Sequence, residues 1–268
     1  VPHTWNAKDG TSPDYYRGDG TYRYTLSVSS AMMKKRIFLR FEAASQKAEV
    51  KLNRQEVGEH VGGFNAFCFE ITPYVHAGEN LLEVAVSNRK ELNIAPLEGD
   101  FTVFGGIYRP VSLLLLPKAC ITPLDYASSG VYVSQQVSER RADLSVVTKV
   151  DNGLKRVKEL SVKADVFDAA GKLVATSTTS QAVEGQARLD FTNRLKVDNP
   201  MLWDGRKSPY LYRVFVELSR GKEVLDTLSQ YVGLRSFRVD AEKGFILNGK
   251  PYKIKGVNRH QDRPDKGW

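Results

Sequence analysis

The chain has 268 residues, of which 41% are hydrophobic and 10% aromatic, a composition that excludes an intrinsically disordered protein. Its formal net charge is +8, but the Lys and Arg residues are spread along the chain apart from the short cluster Lys34-Lys35-Arg36. No zinc-finger spacing or basic helix accompanies them, so the charge indicates solvated strand faces, and we expect no nucleic acid as a partner. The longest apolar run, residues 111–117, is too short to cross a bilayer, and we expect no membrane partner.

Period-two alternation of apolar residues dominates the chain. The clearest runs are residues 37–41, 48–52, 82–86, 144–150, 162–166 and 214–218. Short alternating runs separated by Gly, Asn and Asp turns are typical of β-sandwiches. No stretch of twelve or more residues has a convincing 3.6-residue period, so the sequence predicts an all-β fold with little helix.

Two prolines indicate how the strands divide into domains. Pro117 and Pro123 bracket a linker, because proline does not fit the middle of a sheet. We predict one sandwich over residues 1–118 and a second over 119–237, which has the size of an immunoglobulin-like domain. The remaining residues, 238–268, are too few to bury a core of their own.

The sulfur and imidazole groups show no pattern of a metal site. Cys68 and Cys120 lie far apart and form no CxxC motif, and the four histidines have no metal-ligand spacing with them. We interpret both thiols as buried small hydrophobes, and the sequence leaves open whether they pair. We therefore expect no metal and no cofactor within this chain.

The last thirty residues contain a hairpin and a polar tail. Asn248-Gly249 joins two short apolar stretches and is a strong signal for a type I′ turn, which needs φ > 0 at both residues. A further strand is predicted over residues 253–257. Polar residues without an apolar face then follow, as expected at the rim of a site: Asn258, Arg259, His260, Asp262 and Arg263.

Several stretches, taken in chain order, carry a resemblance. They are VPHTWN, YYRGDGTYRYTL, AEVKLNRQEVGEHVGGFNAFCFEITPYVHAGENLLEVAVSN, DFTVFGGIYRPVSL, NPMLWDGRKSPYLYRVFVEL, VGLRSFRV and GFILNGKPYKIKGVNRHQD. Together they resemble glycoside hydrolase family 2, which includes β-galactosidases, β-glucuronidases and β-mannosidases. Any single stretch is weak support, whereas the ordered series covers the whole chain.

The resemblance implies a domain order. An N-terminal jelly-roll sugar-binding β-sandwich (1–118) would be followed by an immunoglobulin-like β-sandwich (119–237) and by the first strand of a (β/α)₈ TIM barrel (238–268). Such a barrel needs about 250 residues. We therefore expect the chain to be truncated just after the start of the barrel, and its N-terminus to be trimmed as well.

The implied chemistry is retaining hydrolysis of terminal β-linked sugars, with a β-galactosidase favoured and a β-glucuronidase or β-mannosidase as alternatives. Two glutamates carry this reaction in the family, and neither matching position exists in this sequence. We therefore expect no catalytic residue in this chain and no turnover by it alone. The resemblance places a sodium or magnesium ion near the sugar site of the complete enzyme.

Three residues carry over as sugar-site residues. Asp100 opens DFTVFGGIYR, where the family sends a loop carboxylate toward sugar hydroxyls, although a loop Asp also commonly caps its own turn. His260 in GVNRHQD matches a residue that contacts the sugar, and Asn258 would orient the same loop. The family commonly has Glu after this His, and here the residue is Gln261.

The implied partner is a carbohydrate bound by the complete enzyme, which in this family often forms homo-oligomers. We expect a periplasmic or secreted protein, with the cytoplasm as the alternative. A different class, a non-catalytic carbohydrate-binding protein of two sandwiches, stays open. The barrel strand weakens that alternative, since a binding protein has no use for it.

Overall fold

The computed structural model describes residues 1–9, 12, 14–97, 99, 101–259, 262–263 and 265–267. Over these residues the fold is almost entirely β, which confirms the predicted class, and the helical content is two 3₁₀ turns, Met32–Lys34 and Thr72–Tyr74. No helix of the described residues has the length and apolar character that a membrane span requires.

Backbone contacts divide the chain into two compact units. Unit 1 comprises Val1–Leu116, Tyr126–Ser128 and Asn258–Trp268, and unit 2 comprises Pro117–Asp125 and Ser129–Val257. The predicted domain boundaries at 118/119 and 237/238 stay predictions.

Unit 1 is a sandwich of two antiparallel sheets. Its strands are β1 (Asp19–Val28), β2 (Arg36–Phe41), β3 (Lys47–Leu52), β4 (Gln55–Val61), β5 (Phe67–Glu70), β6 (Gly78–Ser87) and β7 (Val111–Leu116). One sheet has the order β1-β6-β3-β4 and the other β5-β2-β7. Alternation decides the buried face: in β6, Leu82, Val84 and Val86 are buried while Leu81 and Ala85 are exposed.

Unit 2 holds a larger and more regular sandwich. Its strands are β8 (Ala119–Ile121), β9 (Val131–Val137), β10 (Arg141–Asn152), β11 (Lys158–Phe167), β12 (Leu173–Val183), β13 (Arg188–Asp198), β14 (Tyr212–Arg220) and β15 (Glu223–Val232). One sheet has the order β13-β10-β8, with β9 also on β10, and the other β12-β11-β14-β15. Twenty buried apolar residues form its core, among them Phe191, Leu160 and Leu218.

The predicted hairpin forms in unit 2, but the strand predicted after it does not. A small sheet contains β16 (Phe237–Asp240), β17 (Gly244–Leu247) and β18 (Lys250–Pro251). Asn248 and Gly249 have φ of 49° and 77°, as a type I′ turn requires. The predicted strand at 253–257 is wrong for this chain. These residues pair with no strand of the described structure, and Ile254 and Val257 are 65% and 93% exposed.

The two cysteines are thiols rather than halves of a disulfide. Cys120 in β8 is buried, as predicted, whereas Cys68 in β5 is only half-buried, which corrects the sequence interpretation. Partial burial raises the pKa of the Cys68 thiol to about 11. The thiol is therefore protonated and unreactive near neutral pH.

Candidate functional site

Two buried asparagines form the centre of a polar cluster in unit 1. Asn6 and Asn88 are both fully buried, and Asn88 Nδ2 donates to Asn6 Oδ1 (3.2 Å) and to the carbonyl of Val103 (2.9 Å). Asn88 Oδ1 accepts from the Gly18 N–H (2.8 Å), and Asn6 Oδ1 accepts from the Gly105 N–H (2.8 Å). Buried amides stabilise irregular backbone when their donors and acceptors are satisfied in this way.

The same cluster fixes the N-terminal segment. Asn6 Nδ2 donates to the Tyr16 carbonyl (2.8 Å) and to Asp9 Oδ1 (3.1 Å), and Asp9 Oδ2 accepts from the Tyr16 N–H (2.9 Å). Thr4 Oγ1 donates to the Gly105 carbonyl (2.7 Å). Thr4 and Asn6 are therefore bound to Gly105, and Asn6 also links them to Asp9 and Tyr16.

Arg17 holds a third side of the cluster. Its Nε donates to the Asn88 carbonyl (2.8 Å), Nη1 to the Leu97 carbonyl (3.1 Å) and Nη2 to Gln46 Oε1 (3.1 Å). Gln46, which is 1% exposed, in turn donates from Nε2 to the Pro96 carbonyl (3.1 Å). Two consecutive carbonyls, Pro96 and Leu97, are thus held by side chains from elsewhere in unit 1.

These contacts hold Pro96 and Leu97, two described residues of the segment 89–102 that lies between Asn88, just after β6, and Val103. The Val103 N–H donates to Tyr15 Oη (3.0 Å), so both polar backbone groups of Val103 are bonded. The segment contains Asp100, which lies outside the described residues. The structure therefore describes how the backbone on both sides of Asp100 is held, and its role in sugar binding stays a prediction.

The polar tail belongs to the same unit. A β-bridge joins Arg263 and Gly267, whose Cα lies so close to Thr4 and Phe104 that an added Cβ would be 2.8 Å from Thr4 Cγ2. Thr4 is also the residue that bonds Gly105, so Gly267 packs beside the hydrogen bond between Thr4 and Gly105.

The other two predicted residues lie in this tail. Asn258 is exposed and makes no hydrogen bond with any described residue, while His260 lies outside the described residues. Of the three predicted residues, the structure therefore describes Asn258 alone, and it belongs to unit 1.

The described titratable side chains of unit 1 form no metal site. Among the described residues, no group of three or more His, Cys, Asp or Glu side chains is arranged to hold a metal ion. Burial lowers the pKa of His60, whose ring stacks on Phe67 with centroids 4.3 Å apart. This imidazole is neutral at pH 7 and acts as part of the aromatic packing.

Sequence reasoning missed the residues that hold the segment: Asn6, Arg17, Gln46 and Asn88. Two of them carried a signal. Asn88 continues the inward phase of Leu82, Val84 and Val86, and Gln46 precedes Ala48 in the inward phase of β3. A polar residue at a core-facing position must find buried partners, so it marks a built polar site.

Family comparisons agree with this fold. Residues 5–117 match the family model described as "Glycosyl hydrolases family 2, sugar binding domain", and residues 128–235 match "Glycosyl hydrolases family 2". The chain belongs to glycosyl hydrolase family 2, as the sequence predicted.

Individual relatives extend the similarity. The chain is similar to a β-glucuronidase of Bacteroides fragilis, 39% identical over all of this chain and 39% of that protein. It is 33% identical to a β-galactosidase of Thermoanaerobacter pseudethanolicus, over 93% of this chain and 32% of the relative. The crystal structure of a Bacteroides uniformis β-glucuronidase superimposes with a TM-score of 0.95 at 39% identity, over 100% of this chain and 32% of that one. The chain spans less than two fifths of each relative.

Proposed function

We propose that this chain is the N-terminal, non-catalytic portion of a retaining exo-β-glycosidase that hydrolyses terminal β-linked sugars. The observation that supports it best is the similarity over the whole chain, in one order, to proteins named β-glucuronidase and β-galactosidase. In the complete enzyme one glutamic acid protonates the leaving oxygen while a second attacks the anomeric carbon. Water, activated by the first residue, then hydrolyses the glycosyl-enzyme.

The substrate we propose first is a β-glucuronide. The sequence alone favoured a β-galactoside, but proteins named β-glucuronidase reach 39% identity, while the relatives named β-galactosidase have 29–33% and a structure described as "putative beta-galactosidase" has 38%. A β-galactoside is the second candidate, and a β-mannoside the third.

The role we propose for unit 1 is to supply sugar contacts from outside the barrel. Asp100 would accept hydrogen bonds from two sugar hydroxyls, His260 would contact the sugar from the tail, and Asn258 would orient that tail. A sodium or magnesium ion near this site belongs to the same proposal. We also propose that the complete enzyme is a homo-oligomer and that it is periplasmic or secreted.

The test is hydrolysis of 4-nitrophenyl β-glucuronide, β-galactoside and β-mannoside by the continuous gene product, with this chain assayed beside it. We expect the long product to cleave the glucuronide fastest and this chain to cleave none, because retaining hydrolysis needs two carboxyls about 5–5.5 Å apart. Turnover by this chain alone would contradict the proposal that it is the non-catalytic portion of the enzyme.

The non-catalytic carbohydrate-binding protein is the alternative outcome. It would be supported if the long product cleaved nothing while this chain bound glycans by calorimetry. The similarity to proteins more than twice as long as the chain favours the enzyme.

A further inference from the structure

We infer that one face of the small sheet β16-β17-β18 is an interaction surface that covers the N-terminal end of the (β/α)₈ barrel of the complete enzyme. The face consists of Phe237, Val239, Phe245 and Tyr252, and we call it the hairpin face. This inference rests on the proposed function, because it assumes that a barrel follows in the same polypeptide. It adds to that proposal the end of the barrel that is covered and the side chains that cover it.

The hairpin face is a continuous apolar surface. Val239 lies opposite Phe245 in the β16–β17 register, and the rings of Phe237 and Phe245 stack with centroids 5.9 Å apart. The Tyr252 N–H donates to the Phe245 carbonyl (2.8 Å), and the two rings meet edge to face at 6.4 Å. The four side chains therefore form one cluster that spans all three segments of the hairpin.

The two sides of β16 differ in chemistry. On the hairpin face Phe237 is 65% exposed and Val239 80%. The residues that alternate with them, Arg238 and Asp240, form an ion pair of 2.6 Å on the other side. A strand with one charged and one apolar side normally turns the apolar side toward a core. No core of the described residues covers Phe237 or Val239, so this side of β16 is free to pack against a further apolar surface.

The hairpin that presents this face is bonded to the rest of unit 2. Asn248 Oδ1 accepts from the Ser236 N–H, and its Nδ2 donates to the Trp203 carbonyl, both at 3.0 Å. Ile246 and Leu247 of β17 are 3% and 2% exposed. The exposure of the hairpin face is therefore a property of an anchored sheet and not of a frayed segment.

The direction of the chain decides which end of the barrel is covered. Residues 253–257 follow Tyr252 directly, have the alternation of a strand and pair with no strand of the described structure. In a (β/α)₈ barrel the strands are parallel, and the active site lies at their C-terminal ends. If 253–257 is the first barrel strand, the hairpin face precedes it and lies at the opposite, N-terminal end. The apolar side chains that fill the barrel interior need a cover at that end.

The size of the face favours an occupant in the same polypeptide. Phe237 and Val239 together offer on the order of 300 Å² of side-chain surface. A specific complex of separate proteins buries about 1,200–2,000 Å² in total, because it has to offset the lost freedom of a second molecule. A contact within one polypeptide has no such cost, so a small apolar face is sufficient. The relatives, of which this chain spans less than two fifths, are long enough to contain the barrel.

The experiment compares hydroxyl-radical footprinting of this chain with that of the continuous gene product, with mass spectrometry as the readout. Phe237 is the reporter, and Tyr231 of β15, which is 71% exposed and outside the hairpin face, is the matched control. In a second arm, Phe237→Ala and Tyr231→Ala are made in both proteins. Their melting temperatures are measured, together with the kcat of the long product on the 4-nitrophenyl glycoside that it cleaves fastest.

We expect the oxidation rate of Phe237 to fall several-fold from this chain to the long product, and that of Tyr231 to stay the same. Phe237→Ala should lower the melting temperature of the long product by several degrees, since it removes a ring that is buried there. The shift in this chain should be much smaller, because the ring is exposed. Tyr231→Ala should have the same small effect in both proteins. The kcat per folded molecule should not change, because the N-terminal end of a barrel serves stability.

Three results would overturn the inference. The first is an unchanged oxidation rate of Phe237 in a long product that hydrolyses its glycoside, which would leave the proposed function standing. The second is protection of Phe237 only at concentrations at which the long product self-associates, since the occupant would then be a second copy. The third is a lower kcat per folded molecule in Phe237→Ala, which would place the face near the active site. A long product that protects Phe237 but cleaves no glycoside would support the contact and contradict the proposed function.

Discussion

Buried asparagines of the two compact units differ in what their amides hold together. In unit 2, Asn193 of β13 donates to the carbonyls of Val162 and Ser177, so its amide links regular strands across a sandwich of twenty buried apolar residues. In unit 1, Asn6 and Asn88 donate and accept mainly among turns and loop residues outside the ladders. The amide of Asn193 therefore reinforces the sandwich core of unit 2, whereas those of Asn6 and Asn88 shape irregular backbone in unit 1.

This difference predicts which substitutions change stability alone and which also change activity. A regular strand has its backbone bonds satisfied by the ladder, so an extra buried amide mainly adds stability. An irregular segment has no ladder, and its conformation depends on side chains that come from elsewhere. We expect core changes in unit 2 to alter stability alone, and changes to the unit 1 cluster to alter activity as well.

The largest expected effect tests the core of unit 2. Phe191→Ala removes a fully buried ring and should lower the free energy of unfolding by about 3–5 kcal/mol. Amide exchange in β10 and β11 should report the loss. The kcat per folded molecule of the gene product should not change. A fall in that kcat would contradict the expectation that core changes in unit 2 alter stability alone.

A pair of glycines gives the next effect. Gly106 in unit 1 has φ of 119°, and a Cβ there would lie 2.6 Å from the His3 carbonyl oxygen, whereas Gly221 in unit 2 has φ of 58° and open space around it. Gly106→Ala combines strain with a backbone clash and should cost about 2–3 kcal/mol, against about 1 kcal/mol for Gly221→Ala. Thermal unfolding of both variants measures the difference. Equal melting temperatures would show that the backbone at His3 moves away from the added Cβ without a measurable cost in stability.

Matched asparagines sharpen the comparison further. Asn88→Leu leaves the Gly18 N–H and the Val103 carbonyl without their partner and should cost about 1–3 kcal/mol. Asn193→Leu should cost no more, because Asn193 Oδ1 already lacks a partner among the described residues. We expect only Asn88→Leu to lower kcat/KM per folded molecule. A similar activity loss in both variants would mean that stability alone explains it.

The smallest effect is a pH dependence in unit 2. Burial raises the pKa of Asp226, although its carboxylate accepts from the N–H groups of Ile121 and Thr227. The folded state therefore holds this proton more tightly than the unfolded state, and stability falls as the pH rises from the usual aspartate value of 3.8 toward the folded pKa. Asp226→Asn should flatten that fall. Subtracting its unfolding curves from those of the parent isolates the contribution, and an unchanged slope would contradict it.

The strand faces were predictable because alternation is a local property. Leu82, Val84 and Val86 identify the inward side of β6 without any knowledge of its neighbours, and the same phase extends to Asn88. The three hydrogen bonds of the Arg17 guanidinium were not predictable in this way. Its three acceptors lie 29, 71 and 80 residues away in the sequence, and only the fold brings them together.

The segment at 253–257 shows a case in which local propensity predicted a strand that the described structure does not contain. Its residues have the β-propensity of a strand, but a strand exists only where a neighbour accepts its hydrogen bonds. No described strand lies beside it, and Val257 stays 93% exposed. Residue propensity therefore indicated that these residues can form a strand, but it could not indicate whether a neighbouring strand is present to pair with them.

The turn at Asn248-Gly249 has a chemical consequence of its own. Asn-Gly pairs deamidate readily, because glycine leaves its backbone nitrogen open to attack the side-chain amide, which closes a succinimide ring and releases ammonia. Here Asn248 Nδ2 donates to the Trp203 carbonyl and Oδ1 accepts from the Ser236 N–H, both at 3.0 Å. These bonds must break before the ring can close. The rate at which Asn248 ages to aspartate and isoaspartate therefore reports how often this hairpin opens.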